Sequence, residues 1–516
     1  MAQKDDFLTR KTSRSAADES PDEEATGGVT AARAVSAVKR APALAEGILE
    51  QSGVPGMAVA IVHDDALVYS GGFGVREVGK GDRVDADTVF QLASVSKSLA
   101  ATVVSAVVGD GTVSWESRMA DVHPGFALHD AWPTQNVSLA DLFAHRSGLA
   151  DHGGDVLEDL GFDRDEVLHR LRYLEPEYSF REGYAYTNFG LTAAACAVAA
   201  KVGMSWEDLS RERLYAPLGM ERASSRLADY MGQPNRAIPH VKEGDAWVVT
   251  PMQRDPDAQS PAGGASSTVR DLAQWARLQL AQGAFEGREL IPAAALAPMQ
   301  RPQSFSHVAT DPARERPGFY GLGMNVSVTD YGAMQWSHSG AFALGAATAF
   351  YLLPGSGFGV MALTNGSPVG APEAFCLSVL ELATTGDVTR DWFTLVGPFF
   401  ASEPGYGSGT DWDTPPADAA PPLPDAAYAG TYRNDYYGEV EIAAAEDGLV
   451  LRIGPRGLAF PLTHYERDTF SWQPIGENAE GRSGLSFLVG PDGSATAFSD
   501  EYLDKDGAGT LTRTGS

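Results

Sequence analysis

Positive charge is what this chain most lacks. Its 516 residues hold 39 Lys and Arg against 68 Asp and Glu, a formal net charge of −29 with a pI near 4.6. Such a field repels phosphate, which argues against nucleic acid or an anionic membrane surface as partner and favours small or neutral substrates. An acidic surface also serves solubility, so charge by itself names no function. Cysteine is nearly absent: Cys196 and Cys376 sit in apolar runs, form neither a CxxC pair nor a metal-ligand spacing, and read as buried free thiols. No apolar run reaches 18 residues, and the polar N-terminal stretch lacks the hydrophobic centre of a secretion signal. A cytoplasmic, soluble protein with a disordered tail over residues 1–30 is expected. The His residues are scattered, and neither a P-loop nor a dinucleotide fingerprint occurs, so no metal and no cofactor is expected.

What is present suffices for two domains. The length exceeds that at which a single core stops growing, and 43% hydrophobic residues supply a sizeable interior. Small and apolar residues recur at helical spacing from Ala34 to Ser52, until Gly53-Val54-Pro55-Gly56 breaks the run. Strand-like segments follow at Met57 to His63, Ala66 to Ser70 and Phe73 to Glu77. After Ser94, the residues Val95, Leu99, Val103 and Val107 lie four apart, which predicts a buried helix ending at Gly109-Asp110-Gly111. Residues 115–320 read as mostly helical with long loops. Strands return at Met334 to Ser337, Gly345 to Leu353 and Phe358 to Thr364, followed by a helix from Pro372 to Ala383. Strands at both ends with helices between predict one sheet assembled from distant segments, with a cleft between sheet and helical insert. The Pro-, Gly- and Asp-rich stretch near 401–425 reads as linker, and 428–512 shows six short alternating strands, the pattern of a small antiparallel barrel. The expected divisions are a tail (1–30), a catalytic domain (31–390), a linker (391–427) and a barrel (428–516).

Lysine occurs at eight positions only, so Lys97 inside an apolar helix stands out. Ser94 and Lys97, three apart at a helix start, share a face on which an amine can take the hydroxyl's proton and make it a nucleophile for acyl transfer. The spacing alone is weak, since Ser36-Ala37-Val38-Lys39 repeats it in an ordinary helical run. Tyr186-Thr187-Asn188 and His338-Ser339-Gly340 follow in order, 92 and then 152 positions further on. Tyr432-Arg433-Asn434, His123-Pro124-Gly125 and His152-Gly153-Gly154 repeat those two patterns, but in the barrel or in loops.

With these motifs in order after the opening strands, the chain resembles the serine β-lactamase and DD-peptidase superfamily, in its class-C-like branch of peptidases, amidases and esterases. The resemblance covers about Gly53 to Thr385 and is reinforced by VPGMAVAIV (54–62), FAHRSGL (143–149), APLGM (216–220), PAGGASSTVRDLAQW (261–275), YGLGM (320–324) and FGVMALTNG (358–366). It implies an α+β fold: a β-lactamase-like antiparallel sheet flanked by helices with an all-α insert, and a C-terminal antiparallel β-barrel similar to the lipocalin-like domain of some relatives. In relatives such barrels restrict the cleft or build oligomers, and the same is expected of residues 428–512.

By that resemblance Ser94 would be the nucleophile and Lys97 either its base or an electrostatic partner. A base role requires desolvation or nearby positive charge to lower the amine's pKa. Tyr186 would be a second proton-transfer group, its phenolate favoured if Lys97 and His338 are charged. Asn188 would contact the substrate amide or hold Lys97; otherwise it caps the helix beginning near Phe189. Ser339 would contact substrate within the His338-Ser339-Gly340 motif, and the N–H of Ala341 would join that of Ser94 in an oxyanion hole. His338 replaces the Lys common in β-lactamases and points to a peptidase or amidase. Ala341 stands where carboxypeptidase relatives often carry a hydroxyl, which speaks against recognition of a free C-terminus. His145 and Ser147 have no nucleophile elbow around them and are left outside the site. The expected activity is hydrolysis of amide bonds in small peptides with D- or non-standard residues, through an acyl-enzyme on Ser94. An esterase or acyltransferase would use the same groups, and a catalytically silent binding or scaffold protein is the reading from another class.

Overall fold

The computed structural model describes residues 28–311, 313, 315–400 and 408–515; of the tail expected over residues 1–30, residues 1–27 lie outside them. The main helices are α1 (Ala31–Ser52), α2 (Ser96–Gly109), α3 (Asn188–Val202), α4 (Val269–Leu280) and α5 (Ala371–Thr385). Strands β1 (Gly56–His63), β2 (Ala66–Gly74), β3 (Ser304–His307), β4 (Gly318–Tyr320), β5 (Asn325–Val328), β6 (Met334–Phe342), β7 (Ala346–Leu353) and β8 (Phe358–Thr364) form one antiparallel sheet in the order β2-β1-β8-β7-β6-β5-β4-β3. Distant segments meet in it as expected, Met57 opposite Thr364 and His63 opposite Phe358.

Alternation along β1 shows why it reads as an unbroken apolar run. Met57, Val59 and Ile61 face α1 and α5, while Ala58, Ala60 and Val62 face the core that holds α2, α3 and α4. The Thr30 side chain caps α1 by accepting from the Arg33 N–H, and Gly53, at φ 68°, ends it. Two expected strands, Ala66 to Ser70 and Phe73 to Glu77, are instead the single strand β2. Gly72 does not break it: a Cβ there would stand 2.3 Å from Asp85 Cα, so glycine lets another backbone cross the strand closely. Similarly β6 runs beyond Ser337 to Phe342 and carries the whole His338-Ser339-Gly340-Ala341 stretch.

The second domain is a nine-stranded antiparallel sheet of β9 (Gly430–Asn434), β10 (Gly438–Ala445), β11 (Gly448–Ile453), β12 (Leu458–Pro461), β13 (Thr463–Glu466), β14 (Thr469–Trp472), β15 (Ser483–Val489), β16 (Ala495–Asp500) and β17 (Thr510–Arg513). The order β12-β11-β10-β9-β17-β16-β15-β14-β13 puts β12 and β13 at its two ends, one residue apart in sequence, so the barrel is nearly closed. Tyr428, Tyr432, Phe470, Trp472 and Phe498 fill it. Part of the expected linker is ordered helix: Trp392–Val396 packs on α5, with the Trp392 indole N–H donating to Glu381 at 2.8 Å. No single helix among the described residues is long and apolar enough to cross a membrane.

The barrel shares a continuous apolar core with the first domain, and polar contacts rim the seam. Arg254, 6% exposed, bonds Glu158 at 2.5 Å, and Asp159 accepts from the backbone N–H groups of Glu477 and Asn478, each at 2.9 Å. The Glu477 carboxylate in turn accepts from the N–H groups of Ala343 (2.5 Å) and Leu344 (3.3 Å), just past the end of β6.

Candidate active site

Ser94 sits on a tight turn between sheet and helix. A short 3-10 segment, Ala93–Val95, leads into α2, and Ala93 is held at φ 45°, a left-handed conformation costly for alanine. Ser94 is the one residue between Gln91 and Ala100 that is not buried. Strand β6 presses on this turn at Gly340, where a Cβ would lie 2.2 Å from the Leu92 carbonyl oxygen and 3.0 Å from the Ser94 nitrogen.

Lys97, one helical turn on, is fully buried. Its Nζ donates to Ser94 Oγ at 2.9 Å, Asn188 Oδ1 at 2.7 Å and the Ala262 carbonyl at 3.0 Å, and lies 4.5 Å from the centre of the Tyr186 ring. Three acceptors match its three donors, which makes the burial of a cation tolerable. Burial lowers its pKa to about 7, against the opposing pull of Asp155.

Tyr186 is hydrogen-bonded to Ser94, so the serine oxygen lies between amine and phenol. Burial holds the Tyr186 pKa well above 10, with the Ser94 bond pulling weakly the other way. The expected phenolate is therefore absent at neutral pH, and His338 shows why. Its Nδ1 lies 2.6 Å from the Ser339 carbonyl, which can only accept, so Nδ1 carries the proton. Nε2, 2.9 Å from Tyr320 Oη, is then the acceptor of the Tyr320 O–H. Burial first, and the Lys97 charge second, lower the His338 pKa to about 3, and a neutral ring offers no positive charge to a phenolate.

Asn188 is the first residue of α3 rather than its cap, and its side chain bridges: the carbonyl accepts from Lys97 while the NH2 donates to Asp155 at 2.7 Å. Ser339 is not brought to the cleft. His338 and Gly340 point at the Ser94 side of the sheet, so Ser339 points to the other, where its hydroxyl meets Glu373 of α5. Ala341 is exposed just beyond, on a stretch of β6 that pairs with β7 but lies past the last β5 pair at Ser337. The competing Ser36 and Lys39 lie on α1, across the sheet from Ser94, and Tyr432 is barrel core.

Several groups at the site escape a reading by motif. His145 is 1% exposed at φ 55°; its Nδ1 accepts from the Thr187 N–H at 3.1 Å, and its Nε2 is buried without a partner. Its ring lies 4.6 Å from that of Tyr186 and 4.9 Å from that of Tyr320. His152, dismissed as a loop repeat, contacts the Tyr186 ring at 5.5 Å and bonds Asp155 at 2.8 Å. The only advance signal of His145 and Tyr320 is that FAHRSGL and YGLGM are themselves family-like segments.

A family model for beta-lactamase matches residues 41–382, from within α1 to within α5. The chain belongs to the beta-lactamase family. Residues 414–509 match a second family, described only as a domain of unknown function (DUF3471), and this is the barrel. The unguisins hydrolase ungD′ of Aspergillus campestris is 25% identical over 473 residues, 86% of each chain. Penicillin-binding protein 4 of Amycolatopsis lactamdurans is 31% identical over 330 residues, 61% of this chain and 81% of its own. Among solved structures, the octameric penicillin-binding protein homologue from Pyrococcus abyssi has a TM-score of 0.57 at 17% identity, covering 92% of this chain and 100% of that one. SurE with D-Leu has a TM-score of 0.53 at 20% identity, covering 93% and 100%. These structures share the fold, and the hydrolase named among the relatives agrees with a hydrolase of the beta-lactamase family here.

Proposed function

We propose that this protein hydrolyses amide bonds of small peptides, with D- or other non-standard residues as the preferred class, through an acyl-enzyme on Ser94. The observation that carries the reading is Ser94 Oγ bonded to Lys97 Nζ at 2.9 Å and to Tyr186. Of the two groups bonded to it, Lys97 is the one that changes protonation near neutrality, since Tyr186 stays a phenol, and His338 beyond them is a neutral imidazole. As Ser94 Oγ bonds to the carbonyl carbon, its proton passes to Lys97. The tetrahedral intermediate then expels the amine, which takes that proton. Water attacks the resulting ester and gives a proton to Lys97, which passes it to Ser94 Oγ as the acid leaves. The N–H groups of Ser94 and Ala341 would receive the oxyanion. The unguisins hydrolase among the relatives supports hydrolysis, and D-Leu in the SurE structure supports a substrate with D-residues. The octameric relative supports a homo-oligomer.

A fluorophosphonate probe should label the wild type at Ser94 and leave Ser94→Ala unlabelled. Turnover of D- or L-aminoacyl amides then assigns the amidase; turnover of p-nitrophenyl esters alone, with no peptide or amide cleaved, assigns an esterase and overturns the amide reading. No labelling at all would favour a silent binding protein.

A further inference from the structure

Behind Lys97 lies a second layer of polar groups that the reaction as described does not use. Asp155 is 3% exposed. Its Oδ2 accepts from Asn188 Nδ2 at 2.7 Å and lies 2.8 Å from His152 Nδ1, while its Oδ1 is buried without a partner. Asn188 can satisfy both neighbours in one orientation only, carbonyl toward the amine and NH2 toward the carboxylate, so the order Lys97, Asn188, Asp155 has a fixed polarity. Packing enforces the approach: Gly154, at φ 101°, would put a Cβ 2.8 Å from Phe189, the residue after Asn188. The barrel closes the other side, Asn478 Nδ2 donating to the Asp155 carbonyl at 3.3 Å and the Gly154 N–H to Asp506 at 3.3 Å.

We propose that Asp155 is a positioning residue for the Ser94 reaction: through the Asn188 amide it orients Lys97, and it divides its negative charge between Lys97 and His152. The inference rests on Ser94 and Lys97 acting as proposed above. A buried carboxylate with an unsatisfied oxygen is destabilising as mere structure, and a hydrophobic residue would fill the same space. Its usefulness is electrostatic. Lys97 faces Ser94, Tyr186, His338 and His145 on the cleft side, none of them anionic near neutrality, so Asp155 is the carboxylate that favours its ammonium form. Asp155 is itself faced by Asp151, His152 and Glu158 from its own domain and by Asp506 and Tyr436 from the barrel. His152 competes for it; the bond and charge of Asp155 outweigh burial and raise the imidazole pKa.

The test is the rate of fluorophosphonate labelling of Ser94 as a function of pH in the full-length protein. Asp155→Asn removes the charge that favours protonated Lys97, so the limb governed by Lys97 should move toward lower pH by about half a unit or more, roughly a threefold change in rate at fixed pH on that limb. His152→Gln keeps a donor to Asp155 but removes the competing cation, so the same limb should move toward higher pH. A structural role would change the rate evenly and leave the midpoint in place. Midpoints within about 0.2 unit of wild type in both variants, or movement in the same direction in both, overturn the proposal. If Asp155→Asn loses the wild-type thermal transition, His152→Gln decides alone, since the His152 side chain is 52% exposed. A wild type that is not labelled at any pH overturns the proposed function, and this inference with it.

Discussion

Gly340→Ala adds one methyl group at the point where β6 meets the Ser94 turn. That methyl would stand 2.2 Å from the Leu92 carbonyl oxygen, 2.4 Å from Thr348 Oγ1 and 3.0 Å from the Ser94 nitrogen. Comfortable contact needs about 3.5 Å, so strand and turn must part by roughly 1 Å. The contact cannot be relieved by a flexible side chain, because Leu92 O already accepts from Thr348 Oγ1 at 2.7 Å and two of the three clashing atoms belong to the backbone. Overpacking of this kind costs about 1–3 kcal/mol, which leaves a domain of ordinary stability, ~5–15 kcal/mol, almost wholly folded. A displacement of about 1 Å at a reacting group costs on the order of 10²-fold in rate. The expected result is a lowered melting temperature with a cooperative transition, and fluorophosphonate labelling slowed about 100-fold in folded protein. Labelling within about twofold of wild type would refute the idea that this close approach sets the geometry of Ser94.

Ser339→Ala should leave labelling of Ser94 nearly unchanged, because its hydroxyl serves Glu373 on the far face of the sheet; a loss of about 1 kcal/mol in unfolding free energy is expected from the broken bond, and a large loss of labelling would put the side chain back at the substrate. Stability should fall as pH rises from about 4 to about 7, the window between ordinary and buried carboxylates. Burial raises Glu158 and Glu477, against the pull of Arg254, and Asp506, against its bond to Tyr436, each to about 7. Over that window the folded protein keeps protons that the unfolded chain has released, so the stabilisation is complete at the acid end and lost as the folded groups ionise. His338, His145 and Lys97, whose pKa values burial lowers, act the other way, so the check is the fall in melting temperature from pH 5 to pH 8 in Glu158→Gln, which should be smaller than in the wild type; an equal or larger fall would contradict the sign.

Ser94, Lys97, Tyr186, Asn188 and His338 were singled out by the family resemblance that their order along the chain carries, and the structure brings them to one place. Strands β12, β13 and β17 were not read from the sequence; each is four residues long, but so is β14, which was, so length alone does not account for the difference. The run of β6 past Ser337 was hidden by Gly340, which looks like a strand breaker and is instead a close-approach residue. Tyr320, His145 and Asp155 come from three separate stretches of chain, and their roles depend on which atom faces which, a tertiary fact with no periodic signature. The direction of Ser339 follows from strand alternation once the extent of β6 is known, and only the boundary at Ser337 concealed it.

The acidity of the chain, uninformative as a total, acquires a local meaning at the seam between the domains. Arg254 is a buried guanidinium that answers Glu158, Asp159 and Glu477 together, three carboxyls to one cation. Burial raises Glu158 and Glu477 there, and Asp506 nearby, to about 7, the value to which it lowers Lys97. The two sets are linked through Asp155, which acts on Lys97 on one side and on Glu158 and Asp506 on the other. Raising the pH removes the proton from Lys97 and also adds negative charge behind Asp155, which favours the ammonium again. The two effects oppose each other, so the rate should climb with pH less steeply than a single titration, and its midpoint belongs to the whole group. That coupling is why opposite displacements in Asp155→Asn and His152→Gln carry more weight than the absolute midpoint of either variant.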